Sequence, residues 1–305
     1  MSERILVFGA DGQLARELAR ARPPEGYRTV CRGRRDVDIT DQGGVDALVA
    51  DVAPCAIVNA AAYTAVDAAE DAPEAAFAVN QTGAAHVAAA AARHGVPCLH
   101  VSTDYVFDGQ GEGAYTPTAP VSPLGVYGRS KEAGERAVRE ACDDHVIVRT
   151  AWVYSPFGHN FVRTMLRVGA DRDTLTVVDD QVGNPTAAHA IAAALLAATH
   201  SVLRTPAPEL RGTYHFASAG GVSWCGFARE IFRQAEARGY TPSPRVDAIA
   251  SSQWPTKAPR PANSQLDSSA FEQAFGVTAR AWPEDLAPVL DELLDVAGPD
   301  GDDGQ

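Results

Sequence analysis

Apolar positions in the first half of the chain fall into short continuous runs, separated by longer stretches with helical spacing. Ile5 to Phe8, Ala56 to Asn59, Cys98 to Val101 and Val146 to Arg149 read as buried strands, and Arg28 to Cys31 as the second strand of the series. Gly12 to Arg20, Gly43 to Asp51, Pro73 to His94 and Tyr127 to Ala141 are alanine-rich or amphipathic and read as helices. Strand and helix in alternation predict parallel βαβ units with helices on both sheet faces, an α/β fold. Right-handed crossovers leave few topologies for such a chain, and the doubly wound parallel Rossmann sheet is the commonest.

The rhythm degrades after about Trp152. Leu175 to Val178 and Thr213 to Ala217 still read as strands and Ala187 to Thr199 as a helix, but Pro and Ser crowd the stretch from Pro242 to Pro261. The expectation is a dinucleotide-binding domain over 1–155, to which segments near 187–200 and 212–218 return. A smaller irregular α/β substrate-binding lobe would be built from 156–186 and 219–297. Residues 298–305 carry no core-forming side chain and are expected to be disordered. No internal repeat is visible.

Composition narrows the function classes. The chain has 305 residues, 46% of them hydrophobic and 21% charged, with a formal net charge of −13 that gives no basic footprint for nucleic acid. The longest near-apolar stretch, Ala190 to Ala198, is far short of the ~20 residues that cross a bilayer. Ile5 to Phe8 is too short for a secretory signal. Five cysteines in no C-x-x-C spacing suit reduced thiols. A cytoplasmic enzyme without membrane or nucleic-acid partners is expected.

The first strand runs into Gly9-Ala10-Asp11-Gly12-Gln13-Leu14-Ala15. Glycine there lets the backbone turn tightly beside a pyrophosphate, and the following helix offers free N–H groups and its positive pole. The pattern is G-x-x-G-x-x-A, with Ala15 small enough for helix–strand packing. A carboxylate at the end of the second strand would hold the adenosine ribose 2′-hydroxyl, whereas arginine accommodates a 2′-phosphate. Arg32-Gly33-Arg34-Arg35 stands there, so NADPH is expected over NADH, with Arg32 as leading contact and NADH left open.

The most specific local signal is Tyr127-Gly128-Arg129-Ser130-Lys131, with Thr103 standing 24 residues before the tyrosine at the end of a predicted strand. Residues i and i+4 share one helix face, so Tyr127 and Lys131 converge on one bound group. A free phenol titrates near about 10 and relays protons poorly at neutral pH. A neighbouring ammonium is expected to lower that value and suit Tyr127 to general acid–base work, with Thr103 adding a hydroxyl hydrogen bond to a substrate oxygen.

These residues resemble the short-chain dehydrogenase/reductase superfamily in its extended form, and the wider set resembles the dTDP-4-dehydrorhamnose reductase family. The matching stretches are Val58 to Asp67, Ser102 to Gly109, Val126 to Gly128 with Ser130-Lys131, Arg149 to Tyr154, Asn160-Phe161, Asp180 to Thr186 and Arg260 to Ser264. The resemblance implies NAD(P)H-dependent reduction of the 4-keto group of dTDP-4-dehydro-L-rhamnose to dTDP-L-rhamnose. It implies that Gly9, Asp11, Gly12, Gln13 and Leu14 hold the cofactor diphosphate and that Asp38 and Ile39 flank the adenine. Ala62, Tyr63, Thr64 and Val101 would line the nicotinamide side, and Thr103, Tyr127 and Lys131 would form the catalytic set. Asp104 and Trp152 would meet the sugar-nucleotide, joined more loosely by Asn160 and Arg260, whose amide and guanidinium suit a nucleotide diphosphate.

Two departures stand out. The family often has an acid near the end of the second strand, where this chain has Arg32. Some members bind magnesium between glutamates at a dimer contact. Glu17 and Glu292 match two such positions, but His189 stands where a further acid is expected, so no metal is assigned and magnesium and a homodimer stay open. Reduction of another dTDP-4-keto-6-deoxyhexose, of the antibiotic or streptose type, would share these motifs. A regulatory subunit of the methionine adenosyltransferase type would share the architecture, although an intact Thr103/Tyr127/Lys131 set argues against it. Asp67 and Glu70 read as helix-start charges, the eight histidines as structural or surface residues, and Trp224 and Phe227 as core or pocket border.

Overall fold

A computed structural model describes residues 2–205 and 207–295, so the expected disordered tail lies outside the described residues. In chain order the first half contains β1 (Glu3–Phe8), α1 (Gln13–Arg20), β2 (Tyr27–Arg32), α2 (Gln42–Val52), β3 (Ala56–Asn59), α3 (Val66–Ala69), α4 (Pro73–Phe77), α5 (Ala84–His94), β4 (Cys98–Thr103), α6 (Val126–Ala141) and β5 (His145–Thr150). The second half contains β6 (Val153–Tyr154), α7 (Phe161–Gly169), β7 (Thr174–Val178), β8 (Val182–Gly183), β9 (Thr186–Ala187), α8 (Ala188–Arg204) and β10 (Gly212–His215). It closes with β11 (Val222–Ser223), α9 (Trp224–Glu236), β12 (Arg245–Ile249), α10 (Ser269–Phe275) and α11 (Trp282–Asp295).

Six strands form one parallel sheet in the order β10-β5-β4-β3-β1-β2. Alternation along buried strands divides its two faces. Ile5, Val7, Leu99, Val146 and Val148 pack with α1, α8 and α10, whereas Leu6, Phe8, Ile57, Cys98 and Ile147 pack with α2, α5 and α6. The order reverses between β1 and β3, so a crevice opens at the carboxyl ends of these strands.

The remaining short strands pair outside this sheet: β12 with β7, β6 with β9, and β11 with β8. With α7, α9 and α11 they enclose a second apolar core around Tyr154, Phe227, Ile231 and Leu286. The continuous helix expected over 73–94 is interrupted by a π-helical turn, Ala78–Gly83. Its Asn80 is buried and donates to the Tyr63 carbonyl and to Ser130 Oγ while accepting from Tyr63 N, at 3.1, 2.9 and 2.8 Å. The extra residue in the turn aims this amide at α6, a contact that helical periodicity does not encode. No described helix is long and apolar enough to cross a membrane, and the five cysteines are free thiols.

Candidate active site

A cleft of about 740 Å³ opens at the switch point, lined by the ends of β1, β2, β3 and β4 and by α6. At its floor, Gly9 adopts φ +97°, and a Cβ there would lie 2.8 Å from Ala61 N, so only glycine lets the turn pass this close to the loop after β3. Gly12 caps α1 without a side chain, and the first turn carries no acid. The first amides of α1 and its positive pole therefore have no competing carboxylate of their own. Gln13 anchors the turn from outside, its Oε1 accepting from Ser155 Oγ and Asn160 Nδ2, each at 2.9 Å.

Arg32 and Arg34 border the cleft beyond β2. Asp36 accepts from Gly33 N at 2.8 Å. Asp38 also faces the cleft, but Thr40 donates to it from its amide and hydroxyl, at 3.0 and 2.8 Å, and Arg34 pairs with it at 3.2 Å. The Thr40 hydrogen bonds, with help from Arg34, hold this carboxyl below its usual range. The residues expected around a dinucleotide, Gly9, Asp11, Gly12, Gln13, Leu14, Arg32, Asp38, Ile39, Ala62, Tyr63, Thr64 and Val101, all line this one cleft.

Thr103, Asp104, Tyr127 and Lys131 line the cleft as well. Gly128 makes this possible: a Cβ there would fall 2.2 Å from the Tyr105 carbonyl, so α6 seats directly on the turn that follows β4. Glu70 Oε1 accepts from Val126 N at 2.7 Å and caps α6 from a distance. Thr103 Oγ1 donates to Asp104 Oδ1 at 3.0 Å and accepts from Tyr105 N at 3.2 Å. The other Asp104 oxygen, Oδ2, is buried without a partner. Burial pushes the Asp104 carboxyl up to about 6, against the pull of the Thr103 hydroxyl.

The phenol does not behave as expected. Burial pushes Tyr127 well above the ordinary phenol value; Thr103 pulls it back in part, and Asp104 and Tyr105 push it further. Lys131 is not among the groups that lower it, because its Nζ turns to the β4 backbone and donates to the Val101 carbonyl at 2.7 Å. Lys131 is itself pushed down to about 8 by burial, against the pull of Glu135. Desolvation thus outweighs the expected ammonium–phenolate attraction, and Tyr127 is held protonated.

Trp152 also lines the cleft, at φ +46°, a left-handed conformation that is costly for tryptophan. Its ring stacks on Trp224 with centroids 3.4 Å apart, which sets Trp224 at the cleft border while Phe227 enters the second core. Two expected ligand contacts make hydrogen bonds within the chain. Asn160 caps α7 by accepting from Arg163 N at 3.2 Å, and its amide nitrogen is spent on Gln13 and two carbonyls of the Ser155–Phe157 turn. Arg260 pairs with Asp67 at 2.8 Å, and its Nη1 is buried without a partner. Asp67 also accepts from Ala258 N at 3.0 Å, so neither it nor Glu70 caps the short α3 that carries it.

Glu17 and Glu292 do meet, but on a guanidinium. Arg20 donates to Glu17 at 2.6 and 2.8 Å and to Glu292 at 2.8 and 2.7 Å. In this structure both carboxylates are answered by that guanidinium. His189 lies instead 3.7 Å from Asp285. Among the described residues no group of three or more His, Cys, Asp or Glu could hold a metal.

The sequence reading missed Asn80 and His100, buried polar residues that reach α6 from other elements. It also missed Tyr105, whose ring meets that of Tyr127 edge-on at 5.5 Å. Tyr105 stands in the Ser102–Gly109 motif, so its place beside Thr103 was a usable signal. Nothing local marks the other two.

A glycine-turn dinucleotide crevice that also holds a Thr/Tyr/Lys set is the arrangement of an extended short-chain dehydrogenase/reductase. The RmlD substrate binding domain profile spans residues 3–295. A dTDP-4-dehydrorhamnose reductase of Sinorhizobium fredii is 42% identical over 95% of this chain and 98% of that protein. One of Streptomyces griseus is also 42% identical, over 97% and 95%. The chain belongs to the dTDP-4-dehydrorhamnose reductase family. Among solved structures, the Bacillus anthracis dTDP-4-dehydrorhamnose reductase in complex with NADP is 34% identical and superposes with a TM-score of 0.87, covering 96% of this chain and all (100%) of that one. A Brucella ovis UDP-glucose 4-epimerase in complex with NAD, 17% identical with a TM-score of 0.78 over 96% of this chain and 98% of that one, shares the fold.

Proposed function

We propose that this chain reduces the 4-keto group of dTDP-4-dehydro-L-rhamnose to give dTDP-L-rhamnose, with NADPH as the preferred reductant. The observation that carries the reading is one cleft shared by the Gly9–Leu14 turn and the Thr103, Tyr127 and Lys131 side chains. Family membership and the named relatives point the same way.

The residues fit a nicotinamide dinucleotide. The Gly9 turn leaves no room for a side chain, and the capless start of α1 suits a diphosphate. Arg32 and Arg34, with no unengaged carboxylate at the end of β2, favour a 2′-phosphate over a bare ribose. When bound, reduced nicotinamide supplies a hydride to the carbonyl carbon.

The remaining work belongs to the chain. Tyr127, kept protonated by burial, donates its phenolic proton to the ketone oxygen, where negative charge grows. Thr103 orients that oxygen by a hydroxyl hydrogen bond. Asp104 Oδ2, buried and partnerless, accepts from a sugar hydroxyl. Lys131 keeps an N–H beyond the one given to Val101, and it donates to a ribose hydroxyl. Trp152, backed by Trp224, gives the sugar-nucleotide a flat apolar wall. Residues 1–155, with 187–200 and 212–218, act as the dinucleotide frame, and 156–186 with 219 to Asp295 as the substrate side.

The test couples the purified protein to dTDP-glucose, a 4,6-dehydratase and a 3,5-epimerase. Consumption of NADPH with dTDP-L-rhamnose identified by NMR is expected. A different product sugar, or no NADPH consumption, would refute the assignment.

A further inference from the structure

We propose that Asn59 and His100 set the resting proton state of Lys131: Asn59 fixes the His100 imidazole as its Nε2–H tautomer, and that N–H faces the lysine nitrogen and favours its uncharged amine. Asn59 ends β3 and stands in register with His100 of the neighbouring β4. Asn59 and His100 are 1% and 0% exposed, and Lys131, at the cleft wall, is 2% exposed.

The orientation of Asn59 is fixed first. Its Oδ1 accepts from Ala61 N at 3.2 Å, which leaves its Nδ2 facing His100 Nδ1, also at 3.2 Å. A flipped amide would set its NH₂ against the Ala61 N–H. An imidazole nitrogen that receives an N–H must present its lone pair, so Nδ1 is bare and the single proton of the neutral ring sits on Nε2. The ring stays neutral because burial pushes His100 well below its ordinary value.

His100 Nε2 lies 3.4 Å from Lys131 Nζ. An ammonium has three N–H groups and no lone pair, so it would turn a donor towards a donor. An amine donates to the Val101 carbonyl at 2.7 Å and accepts from His100, satisfying both contacts. The other charged or titratable groups around Lys131 are few. On its own helix, Glu135 pulls towards the ammonium and Tyr127 is protonated. That pull is blunted because Arg149 from β5 and Arg139 both pair with Glu135, at 2.7 and 3.3 Å, and Ser102 Oγ donates to it at 2.7 Å. Burial pushes Lys131 down to about 8, the direction this contact also favours.

The inference rests on the reductase reading only in giving Lys131 a role there. Its test needs neither substrate nor turnover, so its failure would leave the NADPH assay standing. The chain contains two lysines, Lys131 and Lys257. Protein labelled with ¹³C at lysine Cε therefore gives two resonances, which Lys257→Arg assigns. Lys131 is expected to titrate at least about one pH unit below the half-exposed Lys257, on the scale by which burial lowers a lysine. In protein labelled with ¹⁵N-histidine, His100, assigned through His100→Gln, is expected as the Nε2–H tautomer. Asn59→Asp places a carboxylate acceptor at Nδ1, inverts the tautomer and turns a lone pair to Lys131, so the lysine midpoint should rise by about one pH unit. An Nδ1–H tautomer or an imidazolium at neutral pH in the unaltered protein, or an unmoved lysine midpoint in folded Asn59→Asp, would overturn the proposal. Should that variant not fold, the tautomer of the unaltered chain decides alone.

Discussion

Two ion pairs tie down the two sides of the cleft, and they differ in depth. Glu135 receives Arg149 through two bonds, at 2.8 and 2.7 Å, with side chains 0% and 4% exposed, and this pair fixes α6 to β5 beneath Tyr127 and Lys131. Arg260 meets Asp67 at 2.8 Å with side chains 23% and 46% exposed, and it holds the segment from Ala258 to Ser264 against α3. Breaking a buried pair strands a charge, whereas a half-exposed pair exchanges with water at little cost. Helix α6 is therefore locked by the fold, while the Pro-rich segment beside it is held by replaceable contacts.

Removing each pair tests that contrast. Glu135→Ala should cost about 3–5 kcal/mol, because Arg149 is left buried and uncompensated. A urea midpoint within error of the parent protein would contradict this. Asp104→Asn separates stability from function at the cleft wall. The Asp104 carboxyl titrates near about 6 in the fold, against the 3.8 of the free group, so the folded chain holds a proton that the unfolded chain has lost across that window. The Asp104 contribution to stability should fall as pH rises from 4 to 6, so Asp104→Asn should gain on the parent protein over that range, by roughly 2 kcal/mol at pH 7, while turnover drops. Equal melting of the two proteins at pH 7 would count against a buried charge.

Smaller effects are expected at the edges. Arg32→Ala combined with Arg34→Ala should raise KM for NADPH about tenfold, near 1.4 kcal/mol, and leave KM for NADH almost unchanged. Equal losses for both cofactors would remove the 2′-phosphate assignment. Arg260→Ala should cost no more than about 1 kcal/mol of stability, since its partner is half in water. A loss comparable to that of Glu135→Ala would erase the distinction between the two sides.

Much of the frame was legible because buried parallel strands write themselves as apolar runs. Ala56 to Asn59 was placed to the residue, and Cys98 to Val101 lacked only the last two residues of β4. The glycine turn, the end of β2 and the Tyr127–Lys131 spacing are likewise local signals. The helix over 73–94 was overextended because the π-turn that aims Asn80 follows from a packing contact with α6, not from periodicity.

Within the cleft, electrostatic roles were the least legible. Tyr127 and Lys131 stand one turn apart as expected, yet burial raises the phenol and lowers the amine, and depth is not written in spacing. Asn160 read as a ligand from its amide, although an asparagine directly before a helical run also signals an N-cap, and that role won. Arg260 reads as a ligand from its family-like stretch and its guanidinium, and its partner Asp67 lies 193 residues away in sequence. Arg20, three residues after Glu17 on the same helical face, pairs with both glutamates, a contact with Glu292 that spans 272 residues.

The central claim is that Tyr127, protonated in a buried setting, is the proton donor to the ketone. Steady-state reduction by Tyr127→Phe, measured alongside NADPH binding by fluorescence, tests it most directly. The account predicts kcat lower by about 100-fold or more with the NADPH Kd held within a factor of about three, the scale for losing a positioned acid without losing the cofactor site. Near-parent turnover in a variant that binds NADPH normally would contradict it.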